Sequence, residues 1–561
     1  MSSLTDEANN NFSAEAGIDS INLHIRTYRS ALKSNLEVTI HSLTNSYLKI
    51  DSILHPLAPD PTHIDPDAIV YSLLRLPKII DLTKIIIMAQ NPSVFADAGF
   101  PDVTHWKKTP RTARRRTRYF NPKTGICASF ISSVSDIDDI VNLLLAYQIE
   151  WNKFHVLITA AYPTYLKFKQ ALDTPEFLDV INLSGEDWKN IKIALGKNWR
   201  LRLQRIYRRP QNLRLRLLAG SWIDYSKNTQ EWWKNISMNT YGRANFSHQH
   251  VYFVSSNSHS LLNIITGFAK KSEKTLLKIA PKNFRDINPY LSQQDFLYYL
   301  SKFFNNDKIY QHDLKKIETQ LGILTVPSAH NLEINTQIFP ISSLAKSADI
   351  DPRLKISKPL KLAKSNALIF NIDYPLGFAA YHVLSKVLEN VANVRGVYIL
   401  GKAAVLNSEV GDIQIPRLVF DEHSQNSFFF KNIFNTFFPF NNTQGSILTN
   451  QKSVTVFGTF LENESLLKKY SQNDLTIIEM ESGPYLAAVS EDTFDSQTPR
   501  GTLVDLNSTR LDLGLINYTS DTPYSKAKNL GAGSLNLAGI EPVYLGSLAI
   551  LQRIIDLEEN S

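Results

Sequence analysis

Between Leu475 and Asp521 the sequence holds two apolar, β-favouring runs that each end abruptly in acids, LTIIEMESGPYLAAVSE and LGLINYTSDTPYS. In the first, Leu475, Ile477 and Ile478 have the pattern of a buried strand, with Glu479, Met480 and Glu481 at its end. In the second, Leu513, Leu515, Ile516 and Tyr518 form the strand, and Thr519, Ser520 and Asp521 close it. Open α/β sheets gather ligand chemistry at their strand ends, so this placing predicts a site. Each acid alone also has a plainer reading, as a helix N-cap or a first-turn carboxylate favoured by the helix dipole.

A third stretch, VYILGKAAVLNSEVGDIQIP from Val397 to Pro416, reads as a strand, a small-residue turn and a return strand. In this order the three stretches resemble the nucleoside phosphorylase and nucleosidase superfamily, over roughly residues 361–555. The resemblance implies a three-layer α/β/α domain. It implies that Met480 and Glu481, with Glu479 just before, grip the ribose hydroxyls. It also implies that Ser520 and Asp521 serve the purine leaving group, Asp521 as its proton donor.

The chain has 561 residues, enough for two to four domains, and 43% hydrophobic content excludes a disordered protein. A net charge of +7 is mildly basic; it fits an anionic ligand without demanding nucleic acid. The lone cysteine, Cys127, rules out an intramolecular disulfide and a cysteine-built metal site and fits a reducing cytoplasm. The polar N-terminus is no secretory signal, and IIDLTKIIIMAQ is too short and too interrupted to span a bilayer. No cofactor, metal or membrane partner is expected.

Residues 1–17 are expected to be a loose tail, 18–190 a mainly α-helical domain, 191–322 a small α/β segment with helices, 323–364 a linker and 365–561 the phosphorylase-like domain. Ile21, Ile25, Tyr28 and Leu32 recur at helical spacing, and RLPKIIDLTKIIIMAQNP is read as continuing helix. Seven of the twelve residues from Lys107 to Arg118 are basic. That stretch is either a solvated face or an anion site for phosphate, RNA or an acidic partner, with Trp106, Tyr119 and Phe120 placed to stack on bases. The acids Asp136, Asp138, Asp139 and Glu150 lie on one long predicted helix. Asp138 and Glu150 would be ~18 Å apart on it, too far to share an ion. The turn Ser255-Ser256-Asn257-Ser258-His259 follows a strand and opens a helix, a natural binding position. His259 itself is read as capping or structural.

In the C-terminal part, strand 367–372 leads through Asp373-Tyr374-Pro375-Leu376-Gly377 into a helix. In the superfamily this turn brings a glycine and an arginine to phosphate, or a glutamate to water. Here Gly377 is the glycine and Asp373 the only acid, so Asp373 is a candidate base for water, or else an anchor for the turn. The next turn reads Gly401-Lys402-Ala403-Ala404, with Lys402 where a Ser or Thr is usual, a candidate cation for a bound anion. The absent arginine and hydroxyl weigh against phosphorolysis and towards hydrolysis. His423 stands at a strand end and is the histidine expected to face a ligand; Phe457 or Phe460 is placed to stack on a base or simply to fill core.

The chain is therefore read as a cytoplasmic enzyme that cleaves the N-glycosidic bond of a purine nucleoside or nucleotide, by water more readily than by inorganic phosphate. The resemblance implies dimers, trimers or hexamers. Two other classes stay open: a non-catalytic nucleotide sensor of the same fold, and an RNA-binding protein working through 107–118.

Overall fold

The computed structural model of the chain describes residues 2–34, 37–112, 116–279, 291–304, 306–328, 332–523 and 539–561. Two sheets organise it. The first joins β1 (Val38–Thr39), β2 (Ile85–Ala89), β3 (Lys107–Lys108), β4 (Arg118–Asn121), β5 (Ile126–Phe130) and β6 (Arg214–Leu217) in the order β1-β6-β2-β5-β4-β3. β2 lies parallel to both β5 and β6. The segment expected to continue as helix is thus a strand. Ile85, Ile86 and Ile87 are β-branched and stiff at χ1, which favours the extended chain. The region expected to be mainly helical is an α/β unit, completed by β6 from beyond the expected boundary.

The expected loose tail also differs. A helix runs Ser2–Lys33, unbroken by proline, and Ile21, His24, Ile25, Tyr28 and Leu32 are buried positions that anchor it. The helix with the acids runs Val134–Ala161, and its acids are structural. Asp138 takes bonds from Tyr28 Oη at 2.7 Å and Arg29 Nε at 3.0 Å. Glu150 takes them from His55 Nε2 at 2.8 Å and the Asp65 amide at 2.6 Å.

The second sheet has eleven strands: β7 (His250–Ser256), β8 (Leu324–Val326), β9 (Thr336–Pro340), β10 (Leu368–Asp373), β11 (Asn393–Val405), β12 (Ile413–Asp421), β13 (Asn426–Phe429), β14 (Ile447–Thr455), β15 (Leu475–Glu479), β16 (Leu503–Asp505) and β17 (Asp512–Asp521). β7 sits in its middle, parallel to β10 on one side and β11 on the other, and β17 runs parallel to β11. Side chains alternate between two cores. Tyr252, Val254, Tyr398, Leu400 and Ile516 face the one that holds the C-terminal helix Ile540–Asn560. Val251, Phe253, Val397, Ile399 and Leu515 face the one under helices Trp222–Thr240, Ala379–Asn390 and Ser482–Phe494. This is a three-layer α/β/α sandwich. It recruits the residues expected to form the linker: β9 pairs antiparallel with β10 and β8 with β9. Ile338 faces one core and Phe339 the other, so the strand carries no alternation to read from sequence.

The two halves share one apolar core. Val454, Val456, Phe460, Leu467, Tyr470 and Ile478 pack with Tyr28, Tyr47, Leu144 and Trp151. Phe460 stands edge-on to Tyr71, ring centroids 5.3 Å apart, in the interior of that core. The halves also meet at the turn after β10. Ser135, at the start of the Val134–Ala161 helix, accepts a 2.9 Å hydrogen bond from the Phe378 amide at Oγ. Gly377 has φ +53, and a Cβ on it would collide with the Ser135 side chain. Gly377→Ala should therefore cost about 3 kcal/mol, from a left-handed backbone and an overfilled contact. Denaturant unfolding measures it, and pairing the change with Ser135→Gly should restore part of the loss by opening the contact.

Candidate functional site

β15 delivers its acids as the sequence suggests, but gives them different work. The Glu479 carboxylate accepts from the amides of Glu481 at 2.7 Å and Ser482 at 2.6 Å, and from the Thr455 hydroxyl. It caps the Ser482–Phe494 helix and locks the segment after the strand. Burial pushes this carboxyl up, against the opposing effect of those donors. Glu481, 7% exposed, turns the other way and accepts from the Gly377 amide at 3.0 Å, tying this strand end to the turn after β10. Met480 lies between them.

β17 ends at Asp521, 2% exposed, whose Oδ1 accepts from the Thr522 amide at 2.9 Å. Ser520 donates to the Ala403 carbonyl at 3.3 Å, beside an irregularity between β11 and β17 at Ala403/Ala404. Residues 401–405 remain strand rather than turning. The Tyr374 hydroxyl lies directly over Gly401, where a Cβ would occupy the same place. The glycine leaves room for a phenol. Among the described residues that Tyr374 hydroxyl is buried with no hydrogen-bond partner, and burial pushes its pKa well up, with the Glu481 and Glu479 charges adding to it.

These strand ends surround a cavity of about 510 Å³. Glu479, Met480, Glu481, Ser520, Asp521, Gly401 and Lys402 all line it, Lys402 with an exposed side chain. So do Ser256, Asn257 and His259 of the turn after β7. Its far wall comes from the N-terminal half, with Leu54, Arg75, Arg116 and Asp136. The volume lies within the range of small-molecule sites.

Four expected site residues lie elsewhere. Asp373, 3% exposed, is outside the cavity lining, its Oδ2 accepting from Asn335 Nδ2 at 2.8 Å. Gly377 is taken up by Ser135 and Glu481. Phe460 is core. His423 is buried against Phe457, with Nδ1 on Asp421 Oδ1 at 2.9 Å. Burial opposes charge on this ring, but the Asp421 carboxylate outweighs it and raises the His423 pKa.

The basic stretch is largely spent inside the fold. Arg116 pairs with Asp136 and, at 2.8 Å, with Asp139; Arg111 pairs with Glu333 at 2.6 Å. Arg118 is pushed down to about 10 by burial, with Arg116 nearby adding to the effect. Tyr119 and Phe120 are buried, which removes them as base-stacking platforms. Lys107 and Lys108 are exposed on an edge strand; Arg114 and Arg115 lie outside the described residues, as does Tyr524 after Asp521. Among the described residues, no cluster of three His, Cys, Asp or Glu is placed to hold a metal, and no helix is long and apolar enough to cross a membrane.

Sequence reading missed Glu462. It lies 5% exposed on the cavity wall, after a short helical turn at Thr459–Leu461. Burial, then the charges of Glu422 and Asp521, push its carboxyl up to about 8. An acid raised in the folded state is stabilising below its ordinary value near 4.5 and loses that contribution as pH rises towards 8. Glu462→Gln should therefore gain stability over the parent chain progressively from pH 5 to pH 8. Melting temperatures across that window test it, and a constant difference would contradict the protonation assigned to Glu462.

A search of curated proteins finds no match. Among solved structures the chain is similar to the 5′-methylthioadenosine/S-adenosylhomocysteine nucleosidase of S. pneumoniae, at 10% identity and a TM-score of 0.28, over 55% of this chain and 100% of that one. For the Helicobacter pylori nucleosidase the figures are 8% and 0.30, over 54% and 98%. For the uridine phosphorylase of Vibrio fischeri they are 8% and 0.25, over 54% and 90%. A family profile matches residues 40–556. The chain accordingly belongs to DUF6909, a family of unknown function.

Proposed function

We propose that the cavity binds a purine nucleoside or nucleotide and cleaves its N-glycosidic bond by hydrolysis. The observation that carries this is the convergence of Glu481 and Asp521, from two separate strand ends, on the wall of one cavity. In the cleavage, the C1′–N bond breaks with its electron pair passing to the base. Asp521 takes up a proton as the ligand covers it and delivers that proton to the base. Glu481 accepts hydrogen bonds from the ribose hydroxyls, and its negative charge favours the cationic sugar. Met480 packs against the apolar sugar face. A water molecule adds to C1′ and releases its proton to solvent. Water is favoured over phosphate because the arginine and the hydroxyl that the resemblance links to phosphate are absent, Lys402 standing in the place of the latter.

A non-catalytic nucleotide sensor is the second reading. It is favoured by Asp373, the only acid of its turn, being tied to Asn335 away from the cavity lining. Chromatography of free bases released from a panel of nucleosides and nucleotides separates the two readings. The enzyme should release base equally with and without phosphate. Asp521→Asn should lower that rate by about 10²–10⁴-fold while ligand binding is largely kept. Binding without release under any condition would leave the sensor, and release only with phosphate would overturn the hydrolytic assignment.

A further inference from the structure

The segment that carries Glu462 is fixed on both sides. The Ile53 amide donates to the Glu462 carbonyl at 3.0 Å. Asn463 next to it caps the Glu464–Gln472 helix, accepting from the Leu466 amide at 2.8 Å, and donates to the Ile50 carbonyl at 3.1 Å. Phe460 and Leu461 point into the shared core, so Thr459 and Glu462 are what this segment offers the cavity. Yet among the described residues the Glu462 carboxyl has neither hydrogen bond nor ion pair. Its oxygens open on the cavity, so a ligand can engage them without displacing a protein group. The backbone that carries them is held in place before any ligand arrives.

We propose that Glu462 reads the bound base directly, as a carboxylic acid paired with an edge that presents a hydrogen-bond acceptor beside a donor, such as N1 and the 6-amino group of adenine. This rests on the cavity being a nucleoside site. A neutral carboxyl has one donor and spare acceptor capacity, whereas a carboxylate only accepts. The groups around Glu462 favour the neutral form. Glu422, held by Tyr470, and Asp521 are the acids whose charges reach it. On the N-terminal segment packed against it, His55 is committed to Glu150. The remaining charged groups on the cavity wall are Arg75, stacked 3.4 Å over the Tyr71 ring, Arg116 with Asp136, Glu333 with Arg111, and Lys402, Glu479 and Glu481 at the strand ends. None of these cations forms an ion pair with Glu462.

The test is calorimetric binding of 9-methyladenine, which has no glycosidic bond to cleave, to the full chain between pH 6 and pH 9. Parent affinity should be flat at low pH and fall severalfold towards pH 9. Glu462→Gln keeps one donor and one acceptor, so it should bind within about threefold of the parent at pH 6 and lose the pH dependence. Glu462→Ala should bind about tenfold more weakly at pH 6. A melting curve at pH 6 checks that both variants are folded. A pH dependence that persists in Glu462→Gln, parent-like affinity in Glu462→Ala, or no binding of 9-methyladenine at millimolar concentration would each overturn the proposal. The two readings fail separately. Binding with this pH profile but no base release would sink the cleavage and keep the base-reading role. Base release untouched by both variants would do the reverse.

Discussion

The five-residue turn after β10 is the hinge on which the site depends. Its Gly377 amide is held by Glu481 and its Phe378 amide by Ser135, so one turn receives a carboxylate from the C-terminal sheet and a hydroxyl from the N-terminal half. Tyr374, at its start, reaches past β7 to lie over Gly401 on β11. The cavity is therefore not a feature of the C-terminal sheet alone. It exists because a second unit is pressed against the strand ends closely enough to forbid a side chain at residue 377.

The legible parts of the sequence were those governed by local pattern. The strands β15 and β17, their terminal acids and the α/β/α class followed from apolar runs ending in Glu479–Glu481 and Asp521. The illegible parts were set by tertiary contact. Ile85–Ala89 read as helix because its neighbours are helical, and only pairing with β5 and β6 decides it. β9 sits between two cores and shows no period. Glu462 lies in the stretch SVTVFGTFLENES, whose apolar alternation has the pattern of a strand, and nothing local reveals that one side chain of it turns into a cavity. Phe460 and His423 carry residue types that suit ligand contact equally well as packing, and their neighbours settle the matter.

Charge is handled the same way. The basic run from Lys107 to Arg118 looks in one dimension like an external patch. In three dimensions Arg116 answers Asp136 and Asp139, and Arg111 answers Glu333, acids that are distant in sequence or on another element. A buried ion pair contributes little net stability, but removing one partner is costly, so such pairs act chiefly as constraints on how the units fit. Here they fasten the inner face of the N-terminal half at the cavity wall.

The central place of β7 has a consequence for how the chain must assemble. Synthesis delivers β7 at residues 250–256, but its two parallel partners emerge only at 368–373 and 393–405. Until then the middle strand of the large sheet has neither neighbour, with Val251, Tyr252, Phe253 and Val254 uncovered on both faces. Parallel pairing across such separations is slow, because the loop must close before any contact rewards it. The first sheet meanwhile has all six of its strands once β6 has been made, although the core beneath it is closed only by residues 454–478. The apolar face it leaves open is the one that the later sheet covers, so the two halves close on each other at the end of synthesis.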